Sequence, residues 1–351
     1  MRLLNKKPPL RQPYPRSQLG ITLIELMIAL VIGLLATGAM LKVYVDSSRL
    51  YRFNEGLARV QENGRFATEF IRRDARMAGF WGCYRGADLT NRISPGSANY
   101  IAFEAGDVTG TNDDSVDIGE FLTIITDSIT FSGASGGGIA VSDNMDSASS
   151  AIPVSSLGNF QTGDTLLISD CETADIFQVT ATGGSAPSLT LEHGTEGNTS
   201  VELSKAYTSG SRLYPVRQIT FCIAPGADPE QPSLRRLTNP ASGQTCTTHG
   251  DELVEGIENM QVLFGQDTDA DGDGANGDGT ANRYLSFGAD DLDMDRVVSV
   301  RISLLARSLN DNLTTEPSPY FFNGSKSTPP SDDKYLRKVF TTTITLRNKT
   351  R

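Results

Sequence analysis

The sequence predicts an α+β protein in which one long amino-terminal helix packs on an antiparallel β-sheet that carries an inserted β-rich region. The first observation behind this class is that residues 22–79 contain no proline and that apolar residues recur there at helical spacing. The second is that the chain beyond residue 120 has short apolar runs between segments rich in Gly, Ser, Thr and Asp. Such runs are typical of strands joined by turns.

The amino terminus has a charge pattern that predicts a membrane anchor. Residues 1–20 carry five basic residues and no acid, and residues 26–41 carry no charge. The apolar stretch that begins at residue 21 has about the length that spans a bilayer, roughly 20 residues. Because basic residues favour the cytoplasmic side, the sequence predicts that the rest of the chain lies outside the inner membrane.

The one charge within this apolar stretch is Glu25, close to its start. A lone carboxylate at that depth costs on the order of a few kcal/mol, so we expect it to have a partner and a function. An ordinary secretory signal is cleaved after its apolar core, whereas here the candidate cleavage position, Gly20, precedes the core. The alternative is a plain signal-anchor helix in which the spacing of Gly20 and Glu25 is a coincidence.

The predicted helix continues beyond the membrane. We divide it into a transmembrane half, residues 21–45, and an amphipathic half, residues 46–80. A helix of roughly sixty residues has a length on the order of 85 Å, at about 1.5 Å per residue. A glycine inside a helix costs about 1 kcal/mol relative to alanine, although a glycine in the membrane half could instead permit close helix contacts. The helix contains Gly33, Gly38, Gly56 and Gly64.

Residues 81–351 predict one β-rich domain outside the membrane. We divide it into an inserted β region at about 84–200 and a core sheet at about 212–351. The predicted strands are residues 121–131, 165–168, 176–180, 212–223, 260–264, 297–305 and 339–346. Residues 225–240 and 310–334 predict long surface loops.

The four cysteines suit an oxidising compartment such as the periplasm. Four cysteines allow three pairings. We favour Cys222–Cys246, which closes a short loop, together with Cys83–Cys171. The alternative is zinc binding, which the wide cysteine spacing and the presence of only two histidines disfavour.

An acidic segment, DTDADGDGANGD at residues 267–278, predicts a calcium site. It matches the pattern D-x-D-x-D-G with an acid at the twelfth position, in which alternate oxygens converge on one cation. Its flanks predict strands, so this would be a calcium loop outside the EF-hand fold. The alternative is a solvated acidic loop whose five aspartates repel one another. The candidate ligands are the side chains of Asp267, Asp269 and Asp271, the backbone carbonyl of Asp273 and the closing carboxylate of Asp278.

The net charge and the lack of catalytic patterns narrow the function classes. The chain carries a net charge of −11, and without residues 1–20 it has 26 basic and 42 acidic residues, a net charge of −16. Such a surface is a poor match for binding nucleic acid through phosphate neutralisation. Neither histidine has the context of a catalytic triad, and nothing in the sequence selects a pair of carboxylates for hydrolysis. We therefore expect a protein that is not an enzyme.

The segment GITLIE (residues 20–25), with its basic leader and apolar run, resembles the class III signal of type IV prepilins and type II secretion pseudopilins. The resemblance implies that a prepilin peptidase cleaves between Gly20 and Ile21 and methylates the new amino group of Ile21. Glu25 then occupies the fifth position of the mature chain, the hallmark of the family. Ile21 stands where phenylalanine is more usual.

Further stretches resemble PilW-type minor pilins and the related J-type pseudopilins, namely residues 72–80, 252–264, 296–308 and 338–348. The resemblance implies a pilin-like fold and a minor pilin that primes type IV pilus assembly and sits in the tip complex, supporting motility and adhesion. Its implied partners are other minor pilins, the major pilin, the prepilin peptidase and a PilY-type tip adhesin. The chain would reside in the inner membrane with a periplasmic globular domain, and in the extracellular pilus after assembly.

Two other functions stay open from the sequence. The first is a J-type pseudopilin of a type II secretion system, which would have the same fold and processing but other partners. The second is a membrane-anchored periplasmic enzyme, a function that only the abundance of carboxylates supports. The length of the chain and the region at 84–200 favour the pilus.

Overall fold

A computed structural model describes residues 20–84, 89–97, 100, 107–119, 122–269 and 277–349 of the chain. The protein has the predicted α+β class, with a long amino-terminal helix and a β-rich domain. It divides into two units, Met1–Arg52 and Phe53–Arg351. Helix α1 (Leu23–Ala75) begins in the first unit and ends in the second, and all strands of the described residues lie in the second unit.

In the first unit, α1 includes a stretch that is long and apolar enough to cross a membrane, judged by length and composition. None of the side chains in that stretch is buried. Helix α1 is continuous through residue 45, as the sequence predicted, because no proline interrupts its backbone hydrogen bonds there.

In the second unit, one face of α1 is buried. The buried residues recur at intervals of three, four and seven, as a helix with one face on a core requires: Val60, Gly64, Ala67, Ile71 and Ala75. The helix ends at Ala75, slightly before the predicted end at residue 80. A turn at residues 76–79 follows, in which Gly79 has a φ of +69° and donates its N–H to the carbonyl of Ser132 at 2.9 Å.

The described residues contain eighteen strands, a short helix α2 (Cys246–His249) and a 3-10 turn at Met294–Arg296. The strands are β1 (Leu89–Asn91), β2 (Val108–Ile118), β3 (Leu122–Ala134), β4 (Ile139–Ala140), β5 (Ile152–Val154), β6 (Thr165–Ser169), β7 (Ala174–Gln178), β8 (Ala181–Ser185), β9 (Ser188–Glu192), β10 (Arg212–Pro225), β11 (Pro232–Thr238), β12 (Asp251–Glu255), β13 (Ile257–Gln266), β14 (Arg283–Leu285), β15 (Val297–Arg307), β16 (Tyr320–Phe322), β17 (Ser325–Ser327) and β18 (Arg337–Thr345).

Strand β10 organises the larger sheet. Among the described residues, this sheet has nine strands, with the path β1-β7-β6-β10-β11-β12 and with β4 and the β2–β3 hairpin also attached through β10. The first part of β10 pairs with β6, from Arg212 to Pro215, and its middle part pairs with β3, from Val216 to Phe221. A fourteen-residue strand is long enough to pair with several neighbours along its length.

This topology corrects the division into an inserted region at 84–200 and a core sheet at 212–351. Strands on both sides of residue 200 belong to the same nine-stranded sheet. The β2–β3 hairpin also contributes Val108, Ile129 and Phe131 to the core that contains the buried face of α1. The division was wrong because a change in local composition does not reveal which strands pair.

The smaller sheets come from the parts of the chain on either side. Strands β14-β13-β15-β18 form an antiparallel four-stranded sheet, β5-β9-β8 form a three-stranded sheet, and β16–β17 form a hairpin, within the described residues. Strand β11 and the β16–β17 hairpin occupy the two segments, 225–240 and 310–334, that were predicted as loops. Those predictions were wrong in part, because short strands flanked by proline carry a turn-like composition.

Two side chains of β3 join the two largest sheets. The Oγ1 of Thr126 accepts a hydrogen bond from the N–H of Met260 at 3.0 Å, and a carboxylate oxygen of Asp127 accepts one from the N–H of Val262 at 2.7 Å. The other oxygen of Asp127 accepts from the N–H of Asp113 at 3.0 Å. These side chains satisfy backbone donors of β13 that would otherwise be buried without partners.

Both disulfides have the pairing that the sequence favoured. Cys83 pairs with Cys171, and Cys222 pairs with Cys246. The first bridge connects the segment after α1 to the end of β6, and the second connects β10 to α2. No cysteine is left as a free thiol.

Candidate functional site

The first candidate site is the start of α1, in the first unit. Thr22 precedes the helix, and its Oγ1 accepts a hydrogen bond from the N–H of Glu25 at 3.3 Å. This is half of the T-x-x-E capping box, which satisfies one of the free N–H groups of a first helical turn. The sequence therefore contains its own start signal for α1, immediately after the candidate cleavage position between Gly20 and Ile21.

Glu25 lies on this first turn with its side chain exposed. No ion pair of the described residues includes it. Gly20 and Ile21 precede the helix and are also exposed. Gly20, Ile21 and Glu25 thus lie within six consecutive residues, and all three are exposed.

The residues that follow Glu25 give the first unit an apolar surface on every side. Its large apolar side chains are all at least 44% exposed. Such a surface is stable in lipid or against other apolar helices, but not in water. These side chains are Leu26, Met27, Ile28, Leu30, Val31, Ile32, Leu34, Leu35, Met40, Leu41, Val43, Tyr44 and Val45.

The second candidate site is the acidic loop, which follows β13. Oxygens of Asp267, Asp269 and Asp278 lie within 4.8 Å of one another, so these three carboxylates could contact one cation together. The other two predicted ligands, Asp271 and Asp273, lie outside the described residues. Carboxylates in this arrangement fit a calcium ion, which takes six to eight oxygen ligands.

The anchor of this loop is Asp267, which is only 4% exposed. Its carboxylate accepts hydrogen bonds from the N–H of Asp269 at 3.1 Å and from the N–H of Gly279 at 2.7 Å. A bond from Thr268 Oγ1 to Asn282 Oδ1, at 2.8 Å, also ties the two ends of the loop together. The ends of the loop are therefore held by the chain itself.

The two histidines do not form a catalytic constellation. His193 is buried, with its Nε2 2.8 Å from the carbonyl oxygen of Ser150 and its ring edge-on to Phe177. His249 contacts the hydroxyl of the adjacent Thr248 at 2.7 Å. His193 is thus packed in the core, and His249 is part of a local hydrogen-bonded turn.

A buried polar network around Asp175 has a structural role. Asp175 is fully buried and accepts hydrogen bonds from Arg92, Ser204 and Tyr207, at 2.8–2.9 Å. Burial, followed by the neighbouring charge of Asp175, raises the pKa of Tyr207. Since every acceptor position of this carboxylate is occupied, the network holds the loop at 200–207 on β7.

A feature that sequence reasoning missed is the close contact of α1 with its neighbours at two glycines. A Cβ atom on Gly64 would lie 2.1 Å from the ring of Phe340, and one on Gly56 would lie 2.4 Å from Leu313. Around Gly33 and Gly38, in the other unit, the structure has nothing within 4 Å. In the sequence the four glycines look alike, because the partners of Gly56 and Gly64 are about 250 residues or more away along the chain.

Two family models match parts of the chain, one near its amino terminus and one in its carboxy-terminal part. Residues 15–41 match the Prokaryotic N-terminal methylation motif, which includes Gly20, Ile21 and Glu25. Residues 220–348 match the family described as Type IV Pilus-assembly protein W. That second range contains β11 to β18 and the end of β10.

Comparison with solved structures gives a weaker similarity. The type IV-like pilin TTHA1219 from Thermus thermophilus is 11% identical over 84% of this chain and 98% of that chain, with a TM-score of 0.31. No argument rests on so low a score. No curated protein sequence matches this chain.

The two family matches agree with the geometry described above. The methylation motif coincides with the capped, exposed start of α1, and the PilW range contains all four strands of the four-stranded sheet. Residues 15–41 are therefore similar to the amino termini of prepilins, and residues 220–348 are similar to the PilW family.

Proposed function

We propose that this protein is a minor pilin that primes assembly of a type IV pilus and remains in its tip complex, where it supports motility and adhesion. The observation that carries the proposal is the exposed Glu25 at the start of an apolar helix, in a chain whose carboxy-terminal part matches the PilW family.

The proposed mechanism starts with processing. A prepilin peptidase cleaves between Gly20 and Ile21 and methylates the new amino group of Ile21. The mature chain keeps its apolar helix and so stays in the inner membrane, with the globular domain in the periplasm. Disulfides in that domain suit an oxidising compartment.

Assembly then brings the apolar helices of several subunits together. Glu25 of one subunit pairs with the amino group of Ile21 in its neighbour. Each charge alone would cost several kcal/mol in an apolar bundle, whereas a matched pair offsets much of that cost. Since the pair forms at one axial position only, it also sets the register between subunits. The partners in this proposal are other minor pilins, the major pilin and a PilY-type tip adhesin.

The first test is the variant Glu25→Ala in the full chain. We expect normal cleavage, visible as the mass of the mature chain, but loss of co-purification with the other pilins. Asp46→Ala is the matched control, because Asp46 is an exposed acid on the same helix, and it should co-purify as the wild type does. Normal co-purification of Glu25→Ala would remove the pairing mechanism.

The second test separates a pilus from a secretion machine. Deletion of the gene should abolish surface pili and twitching motility and leave exoprotein secretion intact. The opposite phenotype would assign the protein to a type II secretion system, as a J-type pseudopilin.

A further inference from the structure

A groove runs beside the amphipathic half of α1, within the second unit. It has a volume of about 840 Å³ and lies between one face of α1 and strand β18. Ala58, Arg65 and Phe66 line it from the helix, and Phe340 and Thr341 line it from the strand. All of these residues belong to the unit Phe53–Arg351.

The strand side of the groove is an open sheet edge. Strand β18 pairs with β15 over its whole length, from Arg337 to Thr345, and among the described residues no strand pairs with its other edge. Three consecutive residues of β18, at positions 340–342, line the groove. Successive side chains of a strand point to opposite faces, so a groove that contacts all three reaches the edge of the backbone.

The helix side of the groove offers apolar contacts and balanced charge. Phe66 is 52% exposed, which is unusual for an aromatic residue in the amphipathic half of α1. The four charged residues on this face cancel: Glu62, Arg65, Glu69 and Arg72. The groove is therefore neutral on a chain whose net charge is −11, and it does not repel an uncharged or mildly acidic segment.

The floor of the groove is preformed. The ring of Phe340 lies against Gly64, where any side chain on the helix would collide with it. Phe340 is thereby held between α1 and the sheet. A site that already has its binding geometry loses less conformational entropy when a ligand enters.

We propose that this groove binds an extended, uncharged segment of a partner protein as an added strand on β18. The open backbone edge supplies a row of N–H and C=O groups that only another extended backbone can match along its length. Alternate side chains of the added strand enter the groove between Phe66 and Phe340, so the partner segment has apolar residues at every second position. A helix or a lipid chain in the groove would leave these backbone groups to water, whereas an added strand pairs with them.

This inference is independent of the pairing of Glu25 proposed above. The groove lies in the second unit, whereas Glu25 lies in the first. A variant of the groove should therefore leave processing and helix association unchanged.

The experiment uses the full chain in its native membranes, with a photo-crosslinking phenylalanine in place of Phe66 or of Thr341. We expect both positions to crosslink to one protein, and within the same short segment of it. The control position is Met77, which is 47% exposed but outside the groove, and it should give no such product. Crosslinks to lipid, to a helix of the partner or to a second copy of this chain would overturn the proposal, as would their absence.

A peptide with the sequence of the crosslinked segment then tests strand addition directly. It should slow hydrogen exchange at the amides of β18, and a version methylated at alternate backbone nitrogens should not. Phe66→Asp should weaken binding of the peptide at least about tenfold, while Met77→Asp leaves it unchanged. Equal binding of both peptides, or binding that is insensitive to Phe66→Asp, would contradict an added strand.

Discussion

The ring of Phe340, on β18, lies against the backbone of Gly64, on α1, and leaves no room for a side chain at position 64. A Cβ atom at position 64 would lie 2.1 Å from the Phe340 ring. This contact joins the helix to the four-stranded sheet and forms the floor of the groove beside α1. It also makes position 64 one at which glycine is required by packing.

We predict that Gly64→Ala destabilises the second unit by about 1–3 kcal/mol, because overpacking at this contact outweighs the better helix propensity of alanine. Unfolding of the full chain by denaturant, followed by fluorescence, measures the effect. Gly33→Ala is the control, because the structure has nothing within 4 Å of its added Cβ. Combining Gly64→Ala with Phe340→Leu should restore part of the loss, and the absence of coupling would show that the two residues are independent.

The joint between the two sheets predicts a dependence of stability on pH. Burial raises the pKa of Asp127 above its ordinary value of 3.8, and the neighbouring Asp113 and Asp114 add to the rise, although two backbone N–H groups oppose it. A group whose pKa is higher in the folded state than in the unfolded state stabilises the fold at pH values below its unfolded-state pKa. That contribution is lost as the pH rises through the folded-state pKa.

We therefore expect the wild type to lose stability relative to Asp127→Asn as the pH is raised from about 4 toward neutrality. The measurement is the difference in free energy of unfolding between the two proteins at several pH values. A matched contrast is Asp333→Asn. Burial raises the pKa of Asp333, but the hydrogen bond and charge of Arg337 outweigh it, so the net pKa is lowered. The free energy of unfolding of the wild type, relative to that of Asp333→Asn, should increase over the same pH range. Parallel pH dependences for the two variants would contradict the assigned pKa shifts.

The two disulfides should differ in their contribution to stability. Cys83–Cys171 spans 88 residues and Cys222–Cys246 spans 24. If a disulfide acts by restricting the unfolded chain, the longer loop contributes about 1 kcal/mol more. We expect the double serine variant at positions 83 and 171 to lose more stability than the one at positions 222 and 246. An equal or reversed order would place the main effect of these bridges in the folded state.

The acidic loop predicts stabilisation by calcium. A weak site with a Kd of about 10⁻⁴ M would stabilise the domain by about 2.7 kcal/mol at roughly 10 mM calcium. The measurement is the melting temperature with calcium and with a chelator. Asp278→Asn should abolish the response, whereas Asp290→Asn, at an exposed turn after β14, should retain it. A wild-type melting temperature that does not change with calcium would show that the segment is a solvated acidic loop and not a calcium site.

The amino terminus was predictable because its information is local. Thr22 and Glu25 form the start signal of α1 within four residues, and the charge-free run behind them needs no partner to be recognised as an apolar helix. The disulfide pairing was also predicted, since only three pairings exist and one of them closes a short loop.

The strands were predictable where their own residues are mostly apolar. Strand β15 was predicted at residues 297–305, nearly its true length, and nine of its eleven residues are buried. Strand β2, in contrast, has mainly exposed polar residues in its centre, including Asp113 and Asp114, and no periodic pattern marks it. Strand β11 lies between prolines and was predicted as loop. In both, pairing with a neighbouring strand stabilises a segment whose own composition favours a turn.

The sequence by itself determined the α+β class, the long apolar helix and the prepilin-type motif that contains Gly20, Ile21 and Glu25. The tertiary structure alone decided that one sheet spans both sides of residue 200, that Asp127 joins that sheet to the next, and that Gly64 admits Phe340. The reason is physical: propensity and periodicity act over a few residues, whereas these contacts join residues more than forty positions apart, and only the folded chain brings them together.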